Sequence, residues 1–171
     1  HKRQHSVRKY DPTYKIPKKE IENILDEASQ APSSSNLQAW RFFVIEDQNT
    51  KKELRQIANN QESVKTSSAV IAVLGDTEIY KNVDRIYGMN VEAGFMDQAT
   101  RERMVSNTMN TYPHAPKETR ESIANFDAGL VSMQLMLIAK SKGYDTVTMG
   151  DLISSNSLKS SICLNVMFLL S

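Results

Sequence analysis

The sequence holds a single cysteine, Cys163, in 171 residues. That excludes a disulfide framework within the chain and fits a reducing compartment, so the cytoplasm is the expected location. No apolar run reaches the roughly 20 residues that a membrane helix needs, and the start lacks the charged-then-apolar pattern of an export signal, so no membrane partner is expected. Neither sign of charge predominates: 21 Lys and Arg against 20 Asp and Glu leave a formal net charge of +1. Such a chain projects no field toward nucleic acid or anionic lipid, and no nucleic-acid partner is expected. Only "HKRQHSVRK" at the start is locally basic. Histidine is scarce too, and His1, His5 and His114 show no metal-ligand spacing and no neighbouring acidic cluster, so no metal site is expected. Neither a GxGxxG nor a Walker-type loop follows a candidate strand, which removes the usual phosphate cradles. No serine sits in a GxSxG elbow, and Cys163, within "SSICLNVMF", reads as a core thiol and not a nucleophile.

What is present is ordinary globular material, 40% hydrophobic and 24% charged. A chain of this length buries roughly 70% of its unfolded surface, enough for one real core, and no internal repeat or low-complexity segment divides it. One domain over residues 1–171 is therefore expected. Because the chain begins at His1 without a methionine, its first residues are expected to be missing or processed.

In "KIPKKEIENILDEASQ", Pro17 takes a first-turn position and Ile21, Ile24, Leu25 and Ala28 recur at helical spacing, which predicts a helix over 17–30. Pro32 ends it, and the aromatic, β-branched "WRFFVIE" (40–46) predicts a strand. "NTKKELRQIA" predicts a second helix capped by Asn49 or Thr50, and the continuous apolar run from Ala69 to Leu74 predicts a strand covered on both faces. The order is βαβ-like. Residues 76–116 are more polar and weakly periodic, an excursion of short helices and loop over the core. "PKETRESIANFDAGLVSMQLMLIAKSKGY" is then a helix closed by Gly143. It is apolar around most of its circumference and needs burial on nearly all sides, supplied either by a second subunit, with Leu135 and Met136 at the contact, or by its own chain. "VMFLLS" reads as a last buried strand, which leaves an α+β domain around a mixed sheet.

Two polar clusters remain. "QHSVRK", residues 4–9, puts a hydroxyl, an imidazole and a guanidinium close together, a set that can satisfy a phosphate; the alternative is a solvated basic arm. "APSSSNLQAWRFFVIE" (31–46) crowds three serines, an asparagine and a glutamine where a helix hands over to a strand; the alternative is simple turn chemistry.

Together with "SSAVIAVLGD" and "DAGLVSMQLMLIAKSKGYDT", these segments resemble the nitroreductase family of flavoproteins, in the family's order and over about residues 4–146. The resemblance implies a nitroreductase-like α+β fold, a mixed and mostly antiparallel sheet flanked by helices, in a homodimer with FMN at the subunit interface. It implies hydride transfer from NADH or NADPH through FMN to nitroaromatics, quinones or similar small-molecule electrophiles in a ping-pong cycle. By the same resemblance, Gln4, His5, Ser6 and Arg8 hold the phosphate and ribityl chain, with Arg8 also facing the pyrimidine side of the ring. Pro32, Ser33, Ser34 and Asn36 come from the other subunit and pack along ring and ribityl hydroxyls. Asn60 and Ser63 add ribityl or pyrimidine contacts, and Met149 and Gly150 bring a backbone N–H toward flavin N5. No side chain is expected to act as acid or base.

The departures from the family pattern open alternatives. Gln4 stands where many members have arginine, Ala39 replaces a proline, and Ser63 replaces a longer polar or basic side chain. Between "MGD" and "NVMFLLS", and after the last strand, the sequence is shorter than the family's, and residues are expected to be missing from it. A flavin-binding module with little or no turnover is one alternative; a specialised member, a reductive dehalogenase or a flavin-fragmenting enzyme, is another. Tyr87, Phe95, Met96 and Tyr112 are candidates either for a wall over the flavin or for packing within the excursion.

Overall fold

A computed structural model describes residues 5–58 and 60–149 and the backbone of 162–170. The chain enters as an extended arm whose Ser6 forms a parallel bridge to Thr146. Helix α1 (Lys18–Ala28) starts after Pro17, which has no N–H to leave unpaired, and buries Ile21, Ile24 and Ala28 on one stripe. A single 3-10 turn (Ser34–Asn36) leads to strand β1 (Trp40–Ile45). Helix α2 (Gln48–Ile57) is capped by Asp47 and not by Asn49 or Thr50: its carboxylate accepts from the Thr50 N–H at 2.8 Å and from the Thr50 hydroxyl at 2.7 Å. A short α3 (Glu62–Thr66) precedes strand β2 (Ala69–Asp76), whose first five residues are all buried.

The βαβ-like order does not produce a parallel pair. β1 and β2 run antiparallel, with Ile45 opposite Val70 and Trp40 opposite Gly75. Helices α2 and α3 return the chain to the end of β1 that it has just left, so they serve as the connection of a wide hairpin and not as a crossover. The excursion folds as α4 (Val83–Glu92) and α5 (Gln98–Thr111), flanked by 3-10 turns. Helix α6 (Lys117–Ser141) follows, then strands β3 (Thr146–Met149) and β4 (Ile162–Leu170). The sheet order is β1-β2-β4-β3, every adjacent pair antiparallel, with one register shift between Val73 and Leu74. The parallel bridge of the arm makes the sheet mixed at its β3 edge.

Helix α6 is the centre of the domain, packed on β2, β4 and α1. Ala128, Val131, Leu135 and Ala139 are fully buried and join Ile24, Ile71 and Val73 in the main core. Gly75 lets the helix come close, since a Cβ there would lie 3.1 Å from the Ala124 Cβ and 3.2 Å from its carbonyl. Gly143, at φ +95°, closes the helix, and the Tyr144 N–H reaches back to the Ala139 carbonyl at 2.9 Å. Its most apolar 18-residue window, of mean hydropathy 1.3, is long and apolar enough to cross a membrane, contrary to the reading of the sequence. Here its inner face forms the core of a sheet-containing domain.

Burial on nearly all sides is not reached by the described residues. Phe126, Met133 and Leu137 are 64%, 48% and 47% exposed, on a stripe facing away from the sheet. Leu135, expected at a subunit contact, lies instead in the chain's own core, and Met136 packs against it.

Candidate active site

The loop between α1 and β1 has an unusual backbone. Ser35, Asn36 and Gln38 have φ of 52°, 52° and 54°. Three non-glycine residues in the left-handed region within four positions cost roughly 1–2 kcal/mol each, so the surroundings must hold the loop in this shape. They do so from three directions. Asp127, fully buried in α6, accepts from the Ser34 N–H at 2.9 Å and from the Ser34 hydroxyl at 2.8 Å. Tyr87 of α4, 1% exposed, donates its hydroxyl to the Ser35 carbonyl at 2.7 Å. Within the loop, the Ser33 hydroxyl oxygen accepts from the Gln38 N–H at 2.9 Å. Leu37 and Ala39 anchor the loop beneath, in a cluster with Ile79, Val83, Tyr87 and Ala124. Pro32 and Asn36 face solvent, and Ser33 and Ser34 are half-buried. The Ser34 hydroxyl is therefore spent on Asp127, while the Asn36 amide stays available at the surface.

The second cluster lies at the other edge of the sheet. The Val7 N–H donates to the Thr146 carbonyl at 3.2 Å, which fixes His5, Ser6 and Arg8 beside β3. All three are exposed, and Arg8 forms no ion pair among the described residues. Met149 ends the same strand and packs with Leu54, Ala58, Val64 and Val147, which brings α2 and α3 to this side. There Ser63 is buried at 5% exposure, and Asn60 is exposed at φ 56° with its carbonyl accepting from the Arg55 side chain at 3.2 Å. Gln4 and Gly150 lie outside the described residues. The arm and Met149 are thus gathered at the β3 edge, and the α2–α3 junction packs on the sheet face that runs from Met149 to Ala72, Val70 and Ile45. The 32–38 loop leads into β1 at the opposite edge, three interstrand spacings or about 14 Å across the sheet.

Near the α2–α3 junction, Lys51 is fully buried and donates to the Ser67 carbonyl at 2.6 Å and the Ser68 carbonyl at 3.4 Å. Loss of hydration, with Lys15 adding repulsion, lowers its pKa to about 8. A cavity of about 410 Å³ lies beside the arm, away from the 32–38 loop, lined in part by Lys9, Tyr10, Tyr14 and Tyr144. Burial pushes the Tyr144 phenol up to about 12, and burial with the Asp145 charge raises Tyr10. Two of the cavity's charged groups are already paired: Lys142 with Glu27 at 2.8 Å, and Asp145 with Lys140. Of the four aromatic and methionine candidates in the excursion, Tyr87 is core, Met96 and Tyr112 pack against the same cluster, and Phe95 is 84% exposed.

Reading the sequence missed Asp127, and it named Tyr87 as a flavin wall or as packing within the excursion without its bond to this loop. The signal for Asp127 was legible, since it is the only carboxylate in "FDAGLVSMQLMLIA" and a carboxylate in an apolar helix needs a buried partner. Tyr87 had no such signal, because nothing local told its hydroxyl from that of any other tyrosine.

An α+β domain with an antiparallel sheet around a central helix, and polar clusters at its two outer edges, is the architecture now in view. The Nitroreductase family model matches residues 2–166, and the chain belongs to that family. A Bacillus subtilis protein carrying the provisional name NAD(P)H nitroreductase YdgI is 44% identical over 146 residues, 85% of this chain and 70% of its own length. The enone reductase of CLA biosynthesis from Lactiplantibacillus plantarum is 31% identical over 143 residues, 82% of this chain and 66% of that protein. The crystal structure of a provisionally named nitroreductase from Exiguobacterium sibiricum, in complex with FMN, superposes with a TM-score of 0.92 at 39% identity, covering 98% of this chain and 83% of that one. That of a provisionally named NAD(P)H:FMN oxidoreductase from Staphylococcus epidermidis gives a TM-score of 0.93 at 31% identity, covering 98% and 82%.

Proposed function

We propose that the chain is an FMN-dependent oxidoreductase acting as a single FMN-binding domain in a cytoplasmic homodimer, with residues 76–116 as a lid over the site. The observation that carries this reading is the placement of the two polar clusters. The arm and the 32–38 loop occupy opposite edges of one protomer's sheet, and α6 carries an uncovered apolar stripe. A two-fold pairing across α6 would let the loop of one protomer meet the arm of the other, so that each site is built from both chains.

The residues suit the cofactor. Arg8 offers an exposed guanidinium without an ion pair among the described residues, Ser6 and His5 offer further polar groups, and the loop offers the Asn36 amide beside small side chains that admit a flat ring. FMN held there would supply hydride transfer between NADH or NADPH and an electrophile such as a nitroaromatic, a quinone or the activated double bond of an enone. The chain's share is binding and orientation. Arg8 would place positive charge toward the phosphate and the pyrimidine edge, Pro32, Ser33, Ser34 and Asn36 would line ring and ribityl chain, Asn60 and Ser63 would support the pyrimidine side, and Met149 would border the reacting edge.

The test is the visible spectrum of purified protein after addition of FMN and removal of excess, followed by NADH or NADPH oxidation with a quinone. A retained flavin band with sustained oxidation is the expected result. A colourless protein would overturn the reading, and a yellow protein without oxidation would reduce it to a binding module.

A further inference from the structure

The 33–38 loop is strained, polar and exposed, yet it is tied at two successive residues to groups buried in different helices. We propose that Asp127 of α6 and Tyr87 of α4 are positioning residues, a two-sided clamp that holds the loop in its left-handed shape before any ligand arrives and so sets the affinity for the cofactor. The proposal rests on the FMN reading for its consequence but not for the clamp itself.

Three observations carry it. The backbone at Ser35, Asn36 and Gln38 is left-handed without glycine, a conformation that persists only where surrounding contacts over-determine it. Asp127 is fully buried, and its Oδ1 takes both the N–H and the hydroxyl of Ser34, while Oδ2 has no partner among the described residues. A carboxylate kept in the core for one serine is expensive, and what it fixes is the first residue of the turn. Among the described residues Tyr87 is the largest fully buried side chain, and its hydroxyl ends on the next carbonyl. Because Tyr87 belongs to α4, the clamp ties the loop to the excursion as well as to the core helix.

The experiment measures amide hydrogen exchange at Ser34, Asn36 and Leu37 in the cofactor-free protein, and FMN affinity by flavin fluorescence. Asp127→Ala and Tyr87→Phe are each expected to speed exchange at these amides at least tenfold and to weaken FMN at least fivefold. Asp127→Asn keeps an acceptor for Ser34 and should stay within threefold of wild type. Adding Ser35→Gly to Asp127→Ala should recover at least threefold in affinity, because glycine adopts the left-handed backbone without strain. Unchanged exchange in Tyr87→Phe, or Asp127→Asn as damaging as Asp127→Ala, would overturn the clamp. If Asp127→Ala does not fold, Tyr87→Phe decides alone. A wild-type protein that binds no FMN would sink the cofactor reading, while the exchange data would still decide the clamp.

Discussion

Lys51 allows a quantitative test of how the α2–α3 junction is built. Its ammonium is fully buried against two backbone carbonyls and has no carboxylate close enough for an ion pair among the described residues. The pKa falls from 10.5 to about 8 in the folded protein. Below pH 8 both folded and unfolded chains hold the proton, and above 10.5 neither does. Between those limits the unfolded chain binds the proton and the folded chain does not, so stability must rise with pH across that window. At about 1.4 kcal/mol per pH unit, the interval corresponds to on the order of 3 kcal/mol. The perturbation is Lys51→Met, which keeps the length and removes the titration. Urea unfolding of both proteins at intervals from pH 7 to 10.5 gives two curves of stability against pH, and subtraction cancels other groups, including Tyr10 and Tyr144. Wild type should gain about 3 kcal/mol on the variant over that range. Parallel curves would refute the argument, since they would mean that the ammonium keeps its hydration in the folded state.

Other perturbations test other levels of the structure. Met133→Glu or Leu137→Glu places a charge on the exposed stripe of α6 and should convert a dimer to a monomer in sedimentation velocity, with loss of flavin; a monomer that still holds FMN would contradict the shared site. Gly75→Ala must push α6 away by a few tenths of an ångström and should cost about 1–3 kcal/mol in chemical denaturation, whereas a neutral change would mean that the helix yields freely. Leu135→Ala, in the core and away from the exposed stripe of α6, should cost about 2–5 kcal/mol without altering oligomeric state. Arg8→Ala, at an exposed position, should weaken FMN about tenfold, roughly the value of one charge-assisted hydrogen bond, while unfolding stays unchanged; equal affinity would remove Arg8 from the site.

Local patterns sufficed for the existence of α1, β1, β2 and α6: helical spacing for α1, aromatic and β-branched content for β1, a continuous apolar run for β2, and an apolar stretch closed by Gly143 for α6. They failed on the pairing of β1 with β2, since a helix between two strands serves a crossover or a wide hairpin equally well and only the end to which it returns the chain decides. The cap of α2 was misplaced for a related reason: Asp47, Asn49 and Thr50 are all good caps, and local backbone geometry chose among them.

By itself the sequence determined the types of α1, β1, α2, β2 and α6, the near-neutral charge and the two polar clusters, all set by local residue patterns and composition. It also carried the family, through motifs held in order along the chain. Only the tertiary structure decided that these clusters fall at opposite edges of one sheet, that Leu135 faces inward while Met133 and Leu137 face out, and that Asp127 reaches 93 positions along the chain to Ser34. Those are contacts between residues distant in sequence. Their geometry follows from how α6 lies on the sheet, which no local pattern encodes.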